Sequence, residues 1–285
     1  MEKLKAYIEA LIEDSITTIK SINGGDISSA YRIDTSKNSY FLKQNTSPIA
    51  LAMFQTEAYG LNTIAKTNTI KTPSVLACES FEDSAFLLME YIEWKSPSSE
   101  DFKNLGRQLA QLHKHTSESF GLEQNNFIGR LSQSNTKHTS WVNFYTNERL
   151  LPQLELAKQK GLLQSSECPN LELIKPKLKP IFDDIKPSLL HGDLWSGNYL
   201  ISKNGEPYLI DPAVYYGHHE IDIAMTKIFG GFGDPFYTSY SAAISPDKHT
   251  EGRIEIYQLY YLLAHLNMFG KSYYESVSSI LTKYF

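Results

Sequence analysis

The chain has 285 residues, of which 41% are hydrophobic and 12% aromatic, so it can bury a sizeable core and does not have the composition of a disordered chain. A net charge of −5 and a pI of about 5.9 exclude the broad basic footprint of a nucleic-acid-binding protein. Cys78 and Cys168 lie far apart and indicate neither a zinc site nor a disulfide framework, and the lack of a long apolar run predicts a cytoplasmic protein without a membrane partner.

The first 92 residues predict a small sheet that carries one internal helix. Apolar residues at helical spacing predict an opening helix over residues 3–20. After a glycine turn, residues 30–34 and 39–44 predict two strands joined by a short turn. A helix follows, with its apolar residues between Leu51 and Ala65, and two apolar segments at 75–80 and 85–92 predict further strands.

The polar, proline-containing stretch 93–101 is the best linker candidate. Within it, Ser98 and Asp101 have the spacing of a capping box with Asp in place of Glu, which predicts the start of a helix. We therefore expect a bilobal α+β protein. Residues 1–92 would form a small β-rich N-terminal lobe, and residues 93–285 a larger, mainly helical C-terminal lobe.

Helical patterns dominate the second lobe. They cover residues 141–160, 171–184, 219–229 and 252–269, and Pro152 is expected to kink or split the first of them. Two short strands at 199–202 and 208–210 surround an Asn-Gly turn and predict a hairpin inserted among the helices.

The segment LLHGDLWSGNYL, residues 189–200, and the later PYLIDPA place Asp193, Asn198 and Asp211 behind short apolar runs. Because a tight turn brings the outer ends of two strands together, Asn198 and Asp211 should lie close in space. Both offer hard oxygens, the ligands that Mg²⁺ prefers. Asp193 would stand beside that metal, in the position of a base that accepts a proton from an attacking hydroxyl. This is the set of groups that phosphoryl transfer requires.

A glycine-containing turn in the first lobe is a candidate for phosphate binding. Gly24, Gly25, Ser28 and Ser29 lie between a helix and a strand, where their backbone N–H groups could cradle a triphosphate. The turn lacks a full G-x-G-x-x-G pattern, so the serines and their amides would carry more of the contact. A pair of glycines alone is more often an ordinary turn.

Lys43 and Glu57 are the remaining charged candidates of the first lobe. A strand lysine and a helix glutamate can pair, which would aim the ammonium group at the α- and β-phosphates. Each residue alone would be an ordinary surface charge. The backbone just before the linker could contact an adenine, and its residues are Glu90, Tyr91 and Ile92.

A zinc hydrolase is the alternative raised by His191 and the pair His218-His219, since H-x-D is a metal-ligand spacing. Zinc sites need several converging His or Cys ligands, and no further such motif occurs. We therefore expect His191 to pack and hydrogen-bond beneath the loop that carries Asp193.

The order and spacing of these motifs resemble the protein-kinase-like fold. The stretch HGDLWSGN and the replacement of D-F-G by Asp211-Pro212-Ala213 resemble the small-molecule kinase branch that includes aminoglycoside and choline kinases. Within that branch, LLHGDLWSGN together with DPAVYYGHHEIDIAMTKIFGGF is similar to the fructosamine kinase (ketosamine-3-kinase) family. The segments GGDISSAY, FQTEAYGL and WVNFYTNERLLPQLELA resemble the same family, so the likeness covers nearly the whole chain.

The resemblance implies a role for each of the main candidates. Asp193 would be the catalytic base, Asn198 and Asp211 the metal ligands, and Lys43 the phosphate-contacting lysine with Glu57 as its partner. The implied reaction is the ATP- and Mg²⁺-dependent phosphorylation of a sugar hydroxyl. The implied acceptor is a ketosamine, either a small-molecule adduct or a glycated protein lysine.

Two further residues complete the expected site. Asp222 resembles the aspartate that braces the catalytic loop at the start of a helix. Trp195 lies two residues after Asp193, and it either packs the loop onto the helical lobe or forms a wall against which the sugar of a ketosamine stacks.

Two alternatives stay open: a kinase for another small hydroxyl compound, such as an aminoglycoside or amino alcohol, and a non-catalytic nucleotide-binding pseudokinase. The physiological acceptor, the donor preference, the oligomeric state and any redox regulation are also left open by the sequence.

Overall fold

The computed structural model describes residues 2–22 and 28–285. The first part of the chain forms an antiparallel five-stranded sheet in the order β1-β2-β3-β5-β4, accompanied by two helices. In chain order its elements are α1 (Glu2–Ile12), β1 (Ile16–Ile22), β2 (Ser29–Thr35), β3 (Ser39–Asn45), α2 (Ala50–Ala65), β4 (Val75–Phe81) and β5 (Ser84–Glu90). The predicted strands and the predicted internal helix are confirmed.

The predicted opening helix over residues 3–20 is wrong beyond Ile12. The chain turns at residues 13–15 and continues as β1, which pairs with β2. The segment Ile16–Ile22 is rich in β-branched residues, which lose side-chain freedom in a helix and pack well in a strand. Its apolar residues also fit a strand, because Ile16 is buried in the core beneath the sheet.

The two faces of β3 belong to different cores, and this fixes the direction of Lys43. Tyr40 and Leu42 point into the core shared with α1, whereas Phe41 packs in the core shared with α2. Because side chains alternate along a strand, Lys43 lies on the same face as Phe41, toward α2. Helix α2 therefore provides the natural partner for the Lys43 ammonium group.

The stretch 93–101 is more structured than a simple linker. Trp94–Lys95 forms β6, which pairs with the strand Tyr199–Ser202 of the following part of the chain. The capping box is confirmed, because the Ser98 hydroxyl accepts from the Asp101 N–H and the Asp101 carboxylate accepts from the Ser98 N–H at 2.8 Å. The division into lobes at residue 92 stays a prediction.

The rest of the chain is mainly helical, as expected, so the α+β class with a small sheet lobe and a larger helical lobe is confirmed. Its elements are α3 (Ser99–Leu112), β7 (Asn126–Ile128), β8 (Leu131–Gln133), α4 (Trp141–Phe144), a π-helical turn (Tyr145–Leu150), α5 (Leu151–Gln159), α6 (Leu171–Leu178), β9 (Ser188–Leu190), β10 (Tyr199–Ser202), β11 (Pro207–Leu209), β12 (Tyr215–Gly217), α7 (Glu220–Thr226), α8 (Asp234–Ala243), α9 (Thr250–Phe269) and α10 (Tyr274–Tyr284).

Several helix boundaries differ from the prediction. The pattern at 141–160 is helical throughout but contains the π-helical turn immediately before Pro152, which itself sits at the start of α5. Helix α6 ends at Leu178 rather than at residue 184. Helices α8 and α10 were not predicted; α8 buries only Phe236 and Tyr240 and is rich in Ser, Thr and Tyr, which are moderate helix formers.

Helix α9 runs through the core of the helical lobe and is buried along most of its length. It packs against α7, α5 and α10. Within residues 2–22 and 28–285, none of the helices combines the length and apolar character that a bilayer crossing requires.

Candidate active site

Lys43 links the sheet lobe to the hairpin of the helical lobe. Its Nζ lies 2.8 Å from Glu57 Oε1 and also contacts Asp211 Oδ1. The Lys43 and Glu57 side chains are each only 14% exposed, so their ion pair is shielded from solvent. The pairing predicted from sequence is therefore present, and Asp211 is its third member.

The hairpin brings Asn198 and Asp211 to the same end, as predicted. Strands β10 and β11 pair through Tyr199 and Leu209, and the Ile210 N–H donates to the Asn198 carbonyl at 3.1 Å. Asp211 follows directly, with a φ of 53° that turns the backbone out of the strand. Its side chain is 40% exposed, so it faces open space on one side.

Asp193 is held by Asn198. The Asn198 side-chain N–H₂ donates to the Asp193 carbonyl at 2.8 Å and to its carboxylate Oδ2 at 3.2 Å. Burial and the negative charge of Asp222 raise the pKa of Asp193 to about 7, although the Asn198 hydrogen bond opposes the shift. A carboxylate with a pKa near neutrality can both accept and release a proton at physiological pH.

Asp222 braces the backbone of residues 191–198, the loop that the sequence predicts to be catalytic and that is named the catalytic loop. This fully buried carboxylate accepts from the His191 N–H at 2.7 Å and from the Gly192 N–H at 2.8 Å. His113 Nε2 adds a third contact at 3.0 Å. Burial raises the pKa of Asp222, but the hydrogen bonds and nearby imidazoles outweigh it and hold the pKa below its usual value.

His191 hydrogen-bonds through both ring nitrogens beneath the same loop. Its Nδ1 accepts from the Asp193 N–H at 3.2 Å, so Nε2 must be the protonated nitrogen that donates to the Ile210 carbonyl at 2.9 Å. Burial lowers the pKa of His191, which keeps the ring neutral. The ring thus ties the Asp193 loop to the hairpin end that precedes Asp211.

Gly192 allows an unusually close backbone approach. Its φ is 85°, and a Cβ at this position would lie 2.1 Å from the Ala213 carbonyl oxygen. The Gly192 carbonyl accepts from the Tyr261 hydroxyl of α9 at 2.8 Å. The loop is therefore clamped between the Asp211–Ala213 segment and α9.

The candidate nucleotide contacts of the sheet lobe are only partly within the described residues. Gly24 and Gly25 lie outside them. Ser28 accepts a hydrogen bond from Asn45 Nδ2 at 3.1 Å, and Ser29 begins β2.

The segment before β6 includes a backbone N–H group that is unpaired among the described residues. The N–H groups of Glu90 and Tyr91 donate to the carbonyls of Ser74 and Ser39, at 2.9 and 3.3 Å. Among the described residues, the Ile92 N–H makes no hydrogen bond, so it is the donor that an adenine could use.

Trp195 lies on the open side of the catalytic loop and is 39% exposed. Its ring covers Gly197, where a Cβ would come within 2.4 Å of the indole. Its centroid is 6.4 Å from that of Phe229 in an edge-on arrangement. The side chain is therefore not buried against the helical lobe, which favours the wall over the packing interpretation.

His218, His219 and Glu220 have ligand atoms within 4.8 Å of one another. These atoms already have protein partners: Glu220 forms a two-pronged ion pair with Arg253 at 2.6 and 2.7 Å, and His218 Nδ1 contacts the Tyr257 hydroxyl at 2.9 Å. The cluster is a hydrogen-bonded part of the core and gives the zinc alternative no support.

Sequence reasoning missed several residues around the loop: His113, Tyr261, Gly60, Phe229 and His265. They come from elements distant in the chain, so no local spacing connects them to Asp193. Gly60 of α2, for example, approaches Pro212 so closely that a Cβ would lie 2.9 Å from the proline ring. Its one signal was a glycine inside an otherwise regular helix, which often marks a close contact.

Comparison with known proteins finds a family match and relatives over nearly the whole chain. A model of the family described as fructosamine kinase matches residues 1–285. A protein named probable ketoamine kinase from Lactiplantibacillus plantarum is 37% identical over 286 residues and covers 100% of both chains. A protein named protein-ribulosamine 3-kinase, chloroplastic, from Arabidopsis thaliana is 40% identical, with 94% of this chain and 83% of that protein covered.

Solved structures show the same architecture. A Haemophilus somnus protein whose crystal structure carries a fructosamine-3-kinase name superposes with a TM-score of 0.88 at 28% identity, covering 99% of this chain and 97% of its own. The aminoglycoside phosphotransferase APH(4)-Ia superposes with a TM-score of 0.66 at 14% identity, covering 99% and 98%. The second likeness shows the fold alone.

Proposed function

The chain belongs to the fructosamine kinase family, and we propose that it transfers the γ-phosphoryl group of ATP to a sugar hydroxyl of a ketosamine. The acceptor would be a fructosamine or ribulosamine adduct on a small amine or a protein lysine. The observation that carries the proposal is the connected set of Glu57, Lys43, Asp211, Asn198 and Asp193 in a chain that matches the family from end to end.

Lys43 is proposed to hold the nucleotide phosphates. Its shielded pair with Glu57 fixes the ammonium group at the boundary between the sheet and the hairpin, where the triphosphate of a kinase-like fold lies. The Ile92 N–H and the neighbouring carbonyls of Glu90 and Tyr91 would contact the adenine. Gly24, Gly25, Ser28 and Ser29 are proposed to contact the phosphates through their backbone N–H groups.

Asn198 and Asp211 fit a hard divalent cation. The Asn198 amide nitrogen is committed to Asp193, which leaves its Oδ1 without a partner among the described residues. Asp211 has one oxygen against Lys43 and a side chain open to solvent on the other side. A bound Mg²⁺ would neutralise developing charge on the phosphate oxygens, and oxygen donors of this kind are its usual protein ligands.

Asp193 is proposed to accept the proton of the attacking hydroxyl. As the substrate oxygen bonds to the γ-phosphorus, the bond from that phosphorus to the β,γ-bridging oxygen breaks, ADP departs, and the hydroxyl proton passes to the Asp193 carboxylate. Asn198 and the Asp222-braced backbone hold the carboxylate in place, and such positioning accounts for much of the rate in phosphoryl transfer.

A turnover experiment tests the proposal. Purified protein is given MgATP and a panel of acceptors, namely fructosamine, ribulosamine and erythrulosamine adducts, free sugars, choline and aminoglycosides, with ADP release as the readout. Phosphorylation confined to ketosamines is expected. Preferential use of an aminoglycoside would replace the proposed acceptor, and ATP binding without turnover of any acceptor would favour the pseudokinase alternative.

The cytoplasmic location stays a prediction.

A further inference from the structure

A row of aromatic rings, exposed at Trp195, Phe229 and Phe269 and partly buried at His265, begins at the proposed catalytic loop. The ring centroids of Trp195 and Phe229 are 6.4 Å apart, those of Phe229 and His265 4.9 Å, and those of His265 and Phe269 5.5 Å. Trp195, Phe229 and Phe269 are 39%, 41% and 49% exposed. We call Phe229, His265 and Phe269 the aromatic strip. Exposed apolar side chains that are grouped rather than scattered commonly mark a binding site.

The aromatic strip is held in a fixed position relative to Asp193. His265 lies one helical turn after Tyr261 on α9, and residues four apart share a helix face. Tyr261 is the residue whose hydroxyl holds the Gly192 carbonyl at 2.8 Å. The same face of α9 therefore supports both the catalytic loop and the middle ring of the strip.

The loop that carries Phe229 is also packed against the catalytic loop. A Cβ on Gly231 would lie 2.3 Å from Ser196 Cβ, and the Gly231 carbonyl accepts from the Tyr199 hydroxyl at 2.8 Å. This contact leaves little freedom for Phe229 to move relative to Trp195.

His265 contributes a partly buried, uncharged ring between the two phenylalanines. Its Nδ1 donates to the Tyr261 carbonyl at 2.8 Å, so Nε2 is the unprotonated nitrogen. Burial lowers the pKa of His265, which keeps the ring uncharged. The strip is thus suited to an uncharged alkyl chain.

We propose that the aromatic strip binds the substituent on the acceptor's amine nitrogen and thereby selects ketosamines carried on an extended alkyl chain, such as a lysine side chain. The inference rests on the proposed function and adds the substrate class to it. The sugar and the substituent leave the amine nitrogen in different directions. With the sugar hydroxyl at Asp193 and the sugar carbons against Trp195, the substituent continues outward along Phe229, His265 and Phe269.

A matched acceptor series tests the selection. The same ribulosamine sugar is prepared on methylamine, on n-butylamine and on the ε-amino group of Nα-acetyl-lysine N-methylamide. We expect kcat/KM to rise about fivefold to tenfold from the methyl to the butyl adduct, because the added methylene groups are partly buried against the rings. The lysine adduct should match the butyl adduct.

Substitutions in the aromatic strip test whether its rings cause the preference for the butyl adduct. Phe229→Ala and Phe269→Ala should each bring kcat/KM for the butyl adduct down toward that for the methyl adduct, with KM for ATP unchanged. Leu173→Ala is the matched control, because Leu173 is an apolar residue of α6 with a similar exposure of 41%. Phe269→Leu keeps an apolar side chain at the same site and should lose less selectivity than Phe269→Ala.

The outcomes separate the two proposals. If no adduct is phosphorylated, the proposed function fails. If all adducts are phosphorylated with equal kcat/KM, or if the strip variants keep the wild-type preference for the butyl adduct, the selection by the aromatic strip is overturned while the proposed function stands.

Discussion

Asp193 is the proposed catalytic base, and its substitution tests the proposal most directly. Asp193→Asn keeps the size and the Asn198 contact but removes the proton acceptor, so we expect kcat to fall about 10²–10⁴-fold, the usual effect of losing a general base. ATP affinity, measured by calorimetry, should stay within about twofold because the change removes no proposed nucleotide contact.

Asp184→Asn is a suitable control for this change. Asp184 is exposed and has a φ of 50°, a conformation that Asn tolerates well. A near-wild-type kcat for Asp193→Asn would show that another group takes the proton.

Lys43 and Glu57 are expected to act as one unit. Lys43→Met and Glu57→Gln should each raise KM for ATP and lower kcat/KM, since either change removes one side of the 2.8 Å ion pair. Because the two residues share one interaction, the double variant should lose less than the product of the single losses. A double-mutant cycle on kcat/KM measures this, and fully multiplicative losses would mean that the pair has no functional coupling.

The exposure of Trp195 allows a substitution to test its proposed contact with the substrate without a large loss of protein stability. Trp195→Ala should raise KM for a ketosamine at least severalfold while KM for ATP stays unchanged, because the ring is proposed to contact the sugar of the acceptor and not the nucleotide. The melting temperature should be preserved, since the side chain is 39% exposed. An unchanged ketosamine KM would remove Trp195 from the acceptor site, and a large drop in melting temperature would support the packing interpretation.

Residue spacing predicted those side chains that share a local segment. Asn198 and Asp211 could be paired because a hairpin joins them, and Lys43 and Glu57 because they occupy consecutive elements. His113 could not be found in this way. It follows directly after α3 and contacts Asp222 of α7 across 109 positions of the sequence, so only the tertiary fold brings the two side chains together.

At the scale of elements, the hydrogen bonds of Asp222 join helix α7 to the catalytic loop. Asp222→Asn would place an N–H₂ group against one of the two loop N–H donors and remove a buried charge that His113 also contacts. We expect the free energy of unfolding to fall by about 2–4 kcal/mol, the range for breaking a buried charged hydrogen-bond network. kcat should fall as well, because the Asp193 backbone loses its anchor.

Urea unfolding and steady-state kinetics test this together. A variant with unchanged unfolding free energy and unchanged kcat would show that the loop keeps its position without Asp222. Loss of stability with full activity in the remaining folded protein would confine Asp222 to a purely structural role.

Element boundaries were the least predictable part of the fold. The opening segment shows why: the apolar residues of 3–20 fit a helical period, but the β-branched run from Ile16 to Ile19 gains more from pairing with β2. Helix α8 was not predicted because it is stabilised by packing against α3. Tertiary contacts of this kind are not visible in the local sequence pattern.

At the scale of the whole molecule, several histidines are buried in a neutral form, and this couples folding to pH. Burial lowers the pKa values of His191 and His218, and it lowers that of His219 to about 3. In the unfolded chain each imidazole has an ordinary pKa of about 6.5. The unfolded state therefore binds more protons as the pH falls below about 6.5, and stability is lost in that direction.

His219 offers the clearest test of this coupling. Its Nδ1 contacts the Tyr240 hydroxyl at 2.9 Å, and its pKa is lowered first by burial and then by His113 and Arg253, against the opposing charges of Asp247 and Asp222. On going from pH 7.5 to 5.5, the buried neutral His219 should lower the free energy of unfolding by about 1.4 kcal/mol. Each pH unit below the pKa of the unfolded imidazole lowers this free energy by about that much per histidine. His219→Gln is uncharged at every pH and should reduce the pH-dependent loss of unfolding free energy, measured by urea unfolding, by this amount.

The exposed His115 is the control, and His115→Gln should leave the loss unchanged. Asp193, whose pKa is raised to about 7, also titrates in this window, but it does so in wild type and in His219→Gln alike and therefore cancels from the difference. Asp34, whose pKa is held at about 2 by the Ser39 hydroxyl and Arg32, contributes only below the window. An identical pH dependence in wild type and His219→Gln would mean that the imidazole takes up its proton within the folded protein.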